Sequence, residues 1–271
     1  MMPSFHVPPI CDCYNETISV AHGMIVMSHV YIGTSAFTLQ NFYPPGLPNA
    51  ERLNHYATIF PTVEINSTFY HMPRTTTLEN WQQRVPPDFI FAFKVLQKVT
   101  HVPGKLIDFD VLQQWFQQFA RFAQTPARHL MLFQFAAREA LNMAEFDQLL
   151  STLPPTFLYA FEFRHQKWFT QTVYEKIAAA NASLVLADSP IKASGQPQWP
   201  KVDVPENAFT YIRFHGSPEL YRSSYSAADL QPYVELIAQK RAAGHDVYAY
   251  FNNDADAHAA TNARFLHKSL F

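Results

Sequence analysis

Phe209-Thr210-Tyr211-Ile212-Arg213-Phe214-His215 places Tyr211, Arg213 and His215 on one face of an extended chain and Ile212 and Phe214 on the other. An arginine and a histidine inside so apolar a run predict a strand with one face against an apolar layer and the other against an interior that holds charge. Similar runs recur along the chain at Tyr31 to Ser35, Thr62 to Thr68, Phe89 to Val95, His129 to Phe135, Leu158 to Arg164, Ser183 to Asp188 and Asp246 to Asn252. With Phe209 to His215 they make eight strands, rich in β-branched and aromatic residues.

Between them lie stretches with helical apolar spacing, at Asn49 to Phe60, Thr76 to Arg84, Phe109 to Ala123, Met143 to Leu153, Thr170 to Ala180, Ala227 to Ala243 and Asp256 to Ser269. The sixth connection, Pro190 to Pro205, is rich in Pro, Gly and Ser and reads as an irregular loop. Strict strand and helix alternation predicts an α/β fold. Eight such units favour a single (β/α)8 TIM barrel over an open sheet, which would leave two edges to protect. No stretch has the composition of a linker, so residues 27–271 read as a single barrel domain. Residues 1–26 show no clear strand or helix period, and Met24 and Met27 stand just before the first run. They read as an N-terminal extension, either an upstream start or a mobile tail that packs on the barrel.

The 271 residues carry 20 Lys and Arg against 22 Asp and Glu, a formal charge of -2, which disfavours a broad footprint for nucleic acid or anionic membrane. Cys11 and Cys13 are the two cysteines and lie too close together to staple a fold, which points to a reducing, cytoplasmic setting. No apolar run has the roughly 18 residues of a membrane span, and no basic region with an apolar core marks a secretory signal.

Strand parity sorts the polar residues onto one face: Glu64, Asn66 and Thr68; Lys94 with Ala92; Gln134 with Leu132; Glu162 and Arg164 with Ala160; Asp188 with Leu186; Tyr211, Arg213 and His215; Tyr250 and Asn252. In a barrel this face is the lumen, and most of the set stands late in its strand, at the C-terminal rim where barrel enzymes build their sites. Three acids and three bases could simply neutralise one another as a structural network. Such networks are no better for stability than Leu and Val, because desolvation costs several kcal/mol per ion, so the pattern favours a functional pocket.

The expected catalytic groups are Glu64, Lys94, Glu162, Asp188 and His215, with the two glutamates as acid and base and His215 as proton shuttle. Arg164 and Arg213, with Lys94, suit an anion clamp. Asn66, Gln134 and Asn252 supply amides, His101 a loop imidazole able to close over the pocket, and Tyr70, Trp168 and Tyr250 rim aromatics for stacking. His165 has the opposite parity to Arg164 and reads as structural or as part of the outer rim.

No P-loop, dinucleotide fingerprint, Gly-rich phosphate loop or G-x-S-x-G elbow occurs, so no nucleotide cofactor or serine nucleophile is indicated. Glu64, Glu162, Asp188 and His215 are also the donor types that hold a divalent metal. The interleaved cations compete with a metal for those carboxylates, and no metal site is assigned.

Over Ile32 to the C-terminus the chain resembles the family catalogued as domain of unknown function 72, the YecE-like barrels. The resemblance is carried by Gly33-Thr34-Ser35, Phe42-Tyr43-Pro44, Val63 through Tyr70, Phe93-Lys94, Thr100-His101, Phe133-Gln134, Glu162-Phe163-Arg164-His165 with Trp168, Ala187-Asp188, Arg213 through Gly216 and Tyr250 through Asn253. It implies a (β/α)8 fold and no established reaction. The family pattern departs at Ala36-Phe37, where Gly-Trp is usual, and at Phe135-Ala136-Ala137, where Leu-Pro-Pro is usual.

Three readings follow. The leading one is an enzyme doing acid/base chemistry on a small polar or anionic, carbohydrate-like metabolite. The second is a metal-dependent endonuclease-like or isomerase-like barrel acting on nucleic acid or sugar. The third is a non-catalytic ligand-binding barrel.

Overall fold

A computed structural model describes residues 17–21, 24–137, 142–188, 197–204 and 207–271, with side chains from Ser28 onward. Parallel strands mostly alternate with helices. They are β3 (Val30–Thr34), β4 (Thr62–Ile65), β5 (Ile90–Lys94), β6 (Leu130–Gln134), β7 (Leu158–Glu162), β8 (Ser183–Leu184), β9 (Leu186–Ala187), β10 (Thr210–Phe214) and β11 (Val247–Phe251). An antiparallel hairpin, β1 (Thr17–Ala21) and β2 (Met24–Ser28), precedes them. This corrects the reading of residues 1–26 as lacking strands: the alternation Thr17-Ile18-Ser19-Val20 is only four residues long and Met24-Ile25-Val26-Met27 has none, yet Thr17 pairs with Ser28 and Ile18 with Met27. Residues 1–16 of the expected extension lie outside the described residues.

The strands run in two parallel sheets, ordered β4-β5-β6-β7-β8 and β3-β11-β10-β9. The sixth predicted strand is where they meet. Its first half, 183–184, pairs with β7 and its second half, 186–187, with β10, so one run of chain ends both sheets. Between β3 and β4 a side chain takes the place of a ladder: the Tyr56 hydroxyl accepts from the Thr34 N–H at 2.9 Å and donates to the Thr62 carbonyl at 3.0 Å. The backbones come close enough here that a Cβ on Gly33 would lie 2.2 Å from the Thr62 oxygen, which explains the glycine.

Helices α1 (Arg52–Ala57), α2 (Thr75–Gln83), α3 (Gln97–Thr100), α4 (Phe109–Phe119), α5 (Met143–Thr152), α6 (Gln171–Ala179), α7 (Ala227–Ala242) and α8 (Ala259–Leu270) connect the strands. Asp108, Asn142, Thr170 and Ser226 accept backbone N–H bonds at the starts of α4, α5, α6 and α7, and Ser226 with Asp229 closes a capping box. Helix α3 was not anticipated; at four residues it is too short to show a period. Of the irregular sixth connection, the described residues 197–204 contain no helix.

Two apolar clusters divide the strands by parity. The outer one joins Val63, Phe91, Phe93, Phe133, Phe161, Ile212 and Phe251 to buried residues of the helices, and the inner one holds strand residues such as Ala92, Leu132, Ala160, Tyr211 and Tyr250. Polar contacts span the interior between strands far apart in sequence: Thr62 Oγ1 lies 2.7 Å from Tyr250 Oη, and Tyr211 donates to Glu64 at 2.7 Å. Strand six reverses the expected parity. Val185 and Ala187 join the inner cluster while Leu184 and Leu186 join the outer one, so Asp188 shares the outward phase. Among the described residues no helix is long and apolar enough to cross a membrane.

Candidate functional site

At the C-terminal ends of β4, β7 and β10 a fully buried guanidinium links two carboxylates. Arg213 donates to Glu64 Oε1 at 2.7 Å and to Glu162 Oε2, and its Nη2 reaches Asn66 Oδ1 at 3.4 Å. Tyr211 occupies the second oxygen of Glu64, and Arg164 Nε donates to Glu162 Oε1 at 2.7 Å. Such a network forms because three strands present charged side chains in the same phase, where each buried ion finds its counter-charge. Burial opposes ionisation of Glu162, but Arg213 and Arg164 outweigh it and hold the carboxyl well below its usual range. The same pairing keeps both guanidinium groups charged against their own desolvation.

His215 follows β10 and is fully buried. Asn66 donates to Asn252 Oδ1 at 3.1 Å, and the Asn252 amide lies 3.2 Å from His215 Nδ1. With Nδ1 accepting from that amide, the ring proton falls on Nε2, which faces Glu162 Oε1 at 3.7 Å and the Arg164 guanidinium at 3.5 Å. Burial and Arg213 lower the imidazole to about 4, so it is neutral at pH 7.

Lys94 ends β5 with its Nζ 4.1 Å from the centre of the Phe69 ring. Burial first, then Arg213, lower its ammonium to about 7 against the pull of Glu162 and Glu64. His101 packs edge-on against the same Phe69 ring at 5.0 Å, and Tyr70 lies beyond it, 58% exposed. Gln134, buried at the end of β6, stands in register with Glu162.

Asp188, Trp168 and Tyr250 depart from the expected site. Asp188 turns to the wall: one oxygen accepts the His215 backbone N–H at 2.5 Å and the other the Tyr225 hydroxyl, which itself accepts from Gly216 N at 2.7 Å. Its carboxyl, pushed up to about 7 by burial, pins the loop that carries His215 and does not join the arginine network. Trp168 is 1% exposed and stacks on Phe163 at 4.4 Å and 2°, packing in the outer core. Tyr250 fills the interior below the charged layer, its hydroxyl on Thr62 near the start of β4. Parity placed Tyr250 inside correctly but said nothing of its depth. His165 accepts from Lys167 N at the start of a short 3-10 turn.

Trp199 and Tyr225 were not foreseen. The Arg164 guanidinium lies 4.8 Å over the Trp199 ring, which also meets His215 edge-on at 6.3 Å. Trp199 sits in the aperiodic sixth connection, where no pattern could assign it a direction, and Tyr225 follows a turn. Tyr221, held at φ 66, contacts His215 edge-on at 5.7 Å.

Among the described residues no group of three or more His, Cys, Asp or Glu side chains converges as metal ligands would. Glu64 and Glu162 spend their oxygens on arginine and tyrosine, so these donors do not assemble into the divalent site considered from composition. A separate depression of about 400 Å³ opens at the other ends of the strands, lined by His29, Tyr31, Asp88, Arg128, Asp246 and Tyr248, and includes none of the expected site residues.

The chain is 27% identical over 273 residues to UPF0759 protein YunF of Bacillus subtilis (strain 168), covering 87% of this chain and 92% of that one. It is 25% identical over 211 residues to UPF0759 protein YecE of Escherichia coli (strain K12), covering 70% and 75%. The crystal structure of a DUF72 family protein from Thermotoga maritima MSB8 superposes with a TM-score of 0.74 at 25% identity, covering 89% of this chain and 98% of that one. The family model described as "Protein of unknown function DUF72" matches residues 31–271, so the chain belongs to the DUF72 family and carries a buried charged cluster at the C-terminal ends of its parallel strands.

Proposed function

We propose that this protein is a (β/α)8 barrel enzyme whose charge-paired pocket performs acid/base chemistry on a small polar or anionic metabolite. In this reading the two sheets are one barrel, with residues 183–187 as the shared stave and the Tyr56 hydroxyl holding the β3–β4 seam. The carrying observation is the buried Glu64–Arg213–Glu162–Arg164 chain at the strand ends. An apolar filling would serve stability at least as well, so its retention at the rim points to use. His215, neutral at pH 7 with its ring proton on Nε2, is the candidate hydrogen-bond donor to the reacting group; Arg164, 14% exposed against Trp199, is the candidate anion contact.

The test is a thermal-shift screen of small carboxylates, phosphates and sugar acids, repeated with Arg164→Ala and His215→Gln. The expected result is stabilisation by one chemical class that R164A abolishes, and turnover of that compound that H215Q suppresses. Binding that neither substitution alters would place the ligand elsewhere and overturn the proposal.

A further inference from the structure

We infer that Lys94 is a nucleophilic amine that condenses with the carbonyl carbon of a small anionic aldehyde or 2-oxo acid, so that the pocket works through a Schiff base. This rests on the reading above and specifies its substrate class.

The geometry separates Lys94 from the other cations of the cluster. Arg213 and Arg164 are each bonded to a carboxylate, and the oxygens of Glu64 and Glu162 are already engaged by Arg213, Tyr211 and Arg164. Lys94 is 8% exposed, and its Nζ has no carboxylate within ion-pair distance and no hydrogen bond among the described residues; the ammonium rests on the Phe69 ring. Elsewhere Lys176 pairs with Asp147 at 2.5 Å and Lys240 with Asp203 at 2.8 Å, as lysines held for structure do.

A desolvated lysine beside other cations is the arrangement that frees an amine lone pair near neutral pH. Here burial and the Arg213 charge act together, and an ammonium at about 7 carries about a thousandfold more free amine at pH 7 than an ordinary lysine. An aromatic face holds the chain in place without protonating or acylating it. The positive charge of a protonated imine at Lys94, next to Arg213 and Arg164, calls for a negative group on the bound molecule, hence a carbonyl compound that is also an anion.

The step balances without an oxidant or reductant. The Nζ lone pair forms the C–N bond as the carbonyl π bond breaks, and an N–H proton passes to the oxygen to give a carbinolamine. Loss of that hydroxyl with the second N–H proton releases one water and leaves the imine; hydrolysis reverses it.

The experiment treats the native full chain at pH 7 with sodium glyoxylate and sodium cyanoborohydride, which traps an imine as a carboxymethyl-lysine, and maps the adducts by peptide mass spectrometry. The exposed Lys98 and Lys268 serve as internal references. We expect Lys94 to be labelled at least about tenfold faster than either, the preference to vanish in urea, and Lys94→Arg to remove the fast adduct while its circular dichroism stays that of the parent. Labelling of Lys98 and Lys268 with Lys94 spared, or at equal rates, overturns the inference. Equal enrichment with acetaldehyde in place of glyoxylate overturns its anionic part. A ligand found by thermal shift that still turns over in K94R would refute the Schiff base while leaving the acid/base pocket standing.

Discussion

Replacing Arg213 by Met keeps much of the side-chain volume and removes the charge that joins β4 to β7 through β10. The guanidinium is 0% exposed and contributes bonds to both Glu64 and Glu162. Glu162 retains Arg164, but Glu64 keeps only the neutral Tyr211 hydroxyl among these partners, so the variant buries a carboxylate without a counter-charge. Breaking a buried pair in this way costs about 3–5 kcal/mol. For a chain of this size that corresponds to a melting temperature lower by roughly 6–20 °C. Urea unfolding followed by tryptophan fluorescence measures it, and a double-mutant cycle with Glu64→Gln isolates the cause. If the orphaned charge dominates, R213M/E64Q recovers about 0.5–3 kcal/mol relative to the sum of the single variants. An R213M protein within about 1 kcal/mol of the parent, or a cycle with no coupling, would show that water reaches the cluster and would remove the energetic argument for its functional retention.

Tyr56→Phe removes the hydroxyl that satisfies both Thr34 N and Thr62 O, and is expected to cost about 1–3 kcal/mol in urea unfolding, with exchange of the Thr34 amide accelerated; an unchanged amide would refute the bridge. Gly33→Ala places a methyl 2.2 Å from the Thr62 carbonyl and should destabilise by about 1–3 kcal/mol through forced separation of β3 and β4, read as a lower melting temperature. His215, lowered to about 4, should show nitrogen-15 shifts of the neutral Nε2–H tautomer from pH 8 down to about pH 5 and titrate only near pH 4. Because its folded value is below the ordinary 6.5, the unfolded chain binds the extra proton first, so this histidine makes stability rise with pH between about 4 and 6.5; His215→Gln should flatten that part of the profile.

The strand and helix alternation was legible because the apolar periods of 2 and 3.6 are local properties of the chain. All eight sequence-read strands are found, shortened by one or more residues at most of their ends, and parity placed Glu64, Lys94, Glu162, Arg213 and Tyr250 on the inner side. Parity fails where the strand itself fails. The second strand stops at Ile65 and a 3-10 turn begins at Asn66, and the sixth splits around Val185 as it passes from one neighbour to the other, carrying Asp188 to the wall. The hairpin at 17–28 was missed because its alternation, Thr17 to Val20, spans four residues and its second strand is uniformly apolar before Ser28.

By itself the sequence determined the α/β class, the charge-bearing strand ends and the excess of acids and bases that must be reconciled in a small interior. Only the tertiary structure decided the partners: that Arg213 joins Glu64 to Glu162, that Lys94 is left to an aromatic ring, that Asp188 serves a loop and Trp168 the outer core. The reason is physical. Periodicity reports which way a side chain points from its own backbone, whereas pairing and desolvation depend on strands brought together from far along the chain, 188 residues apart for Thr62 and Tyr250.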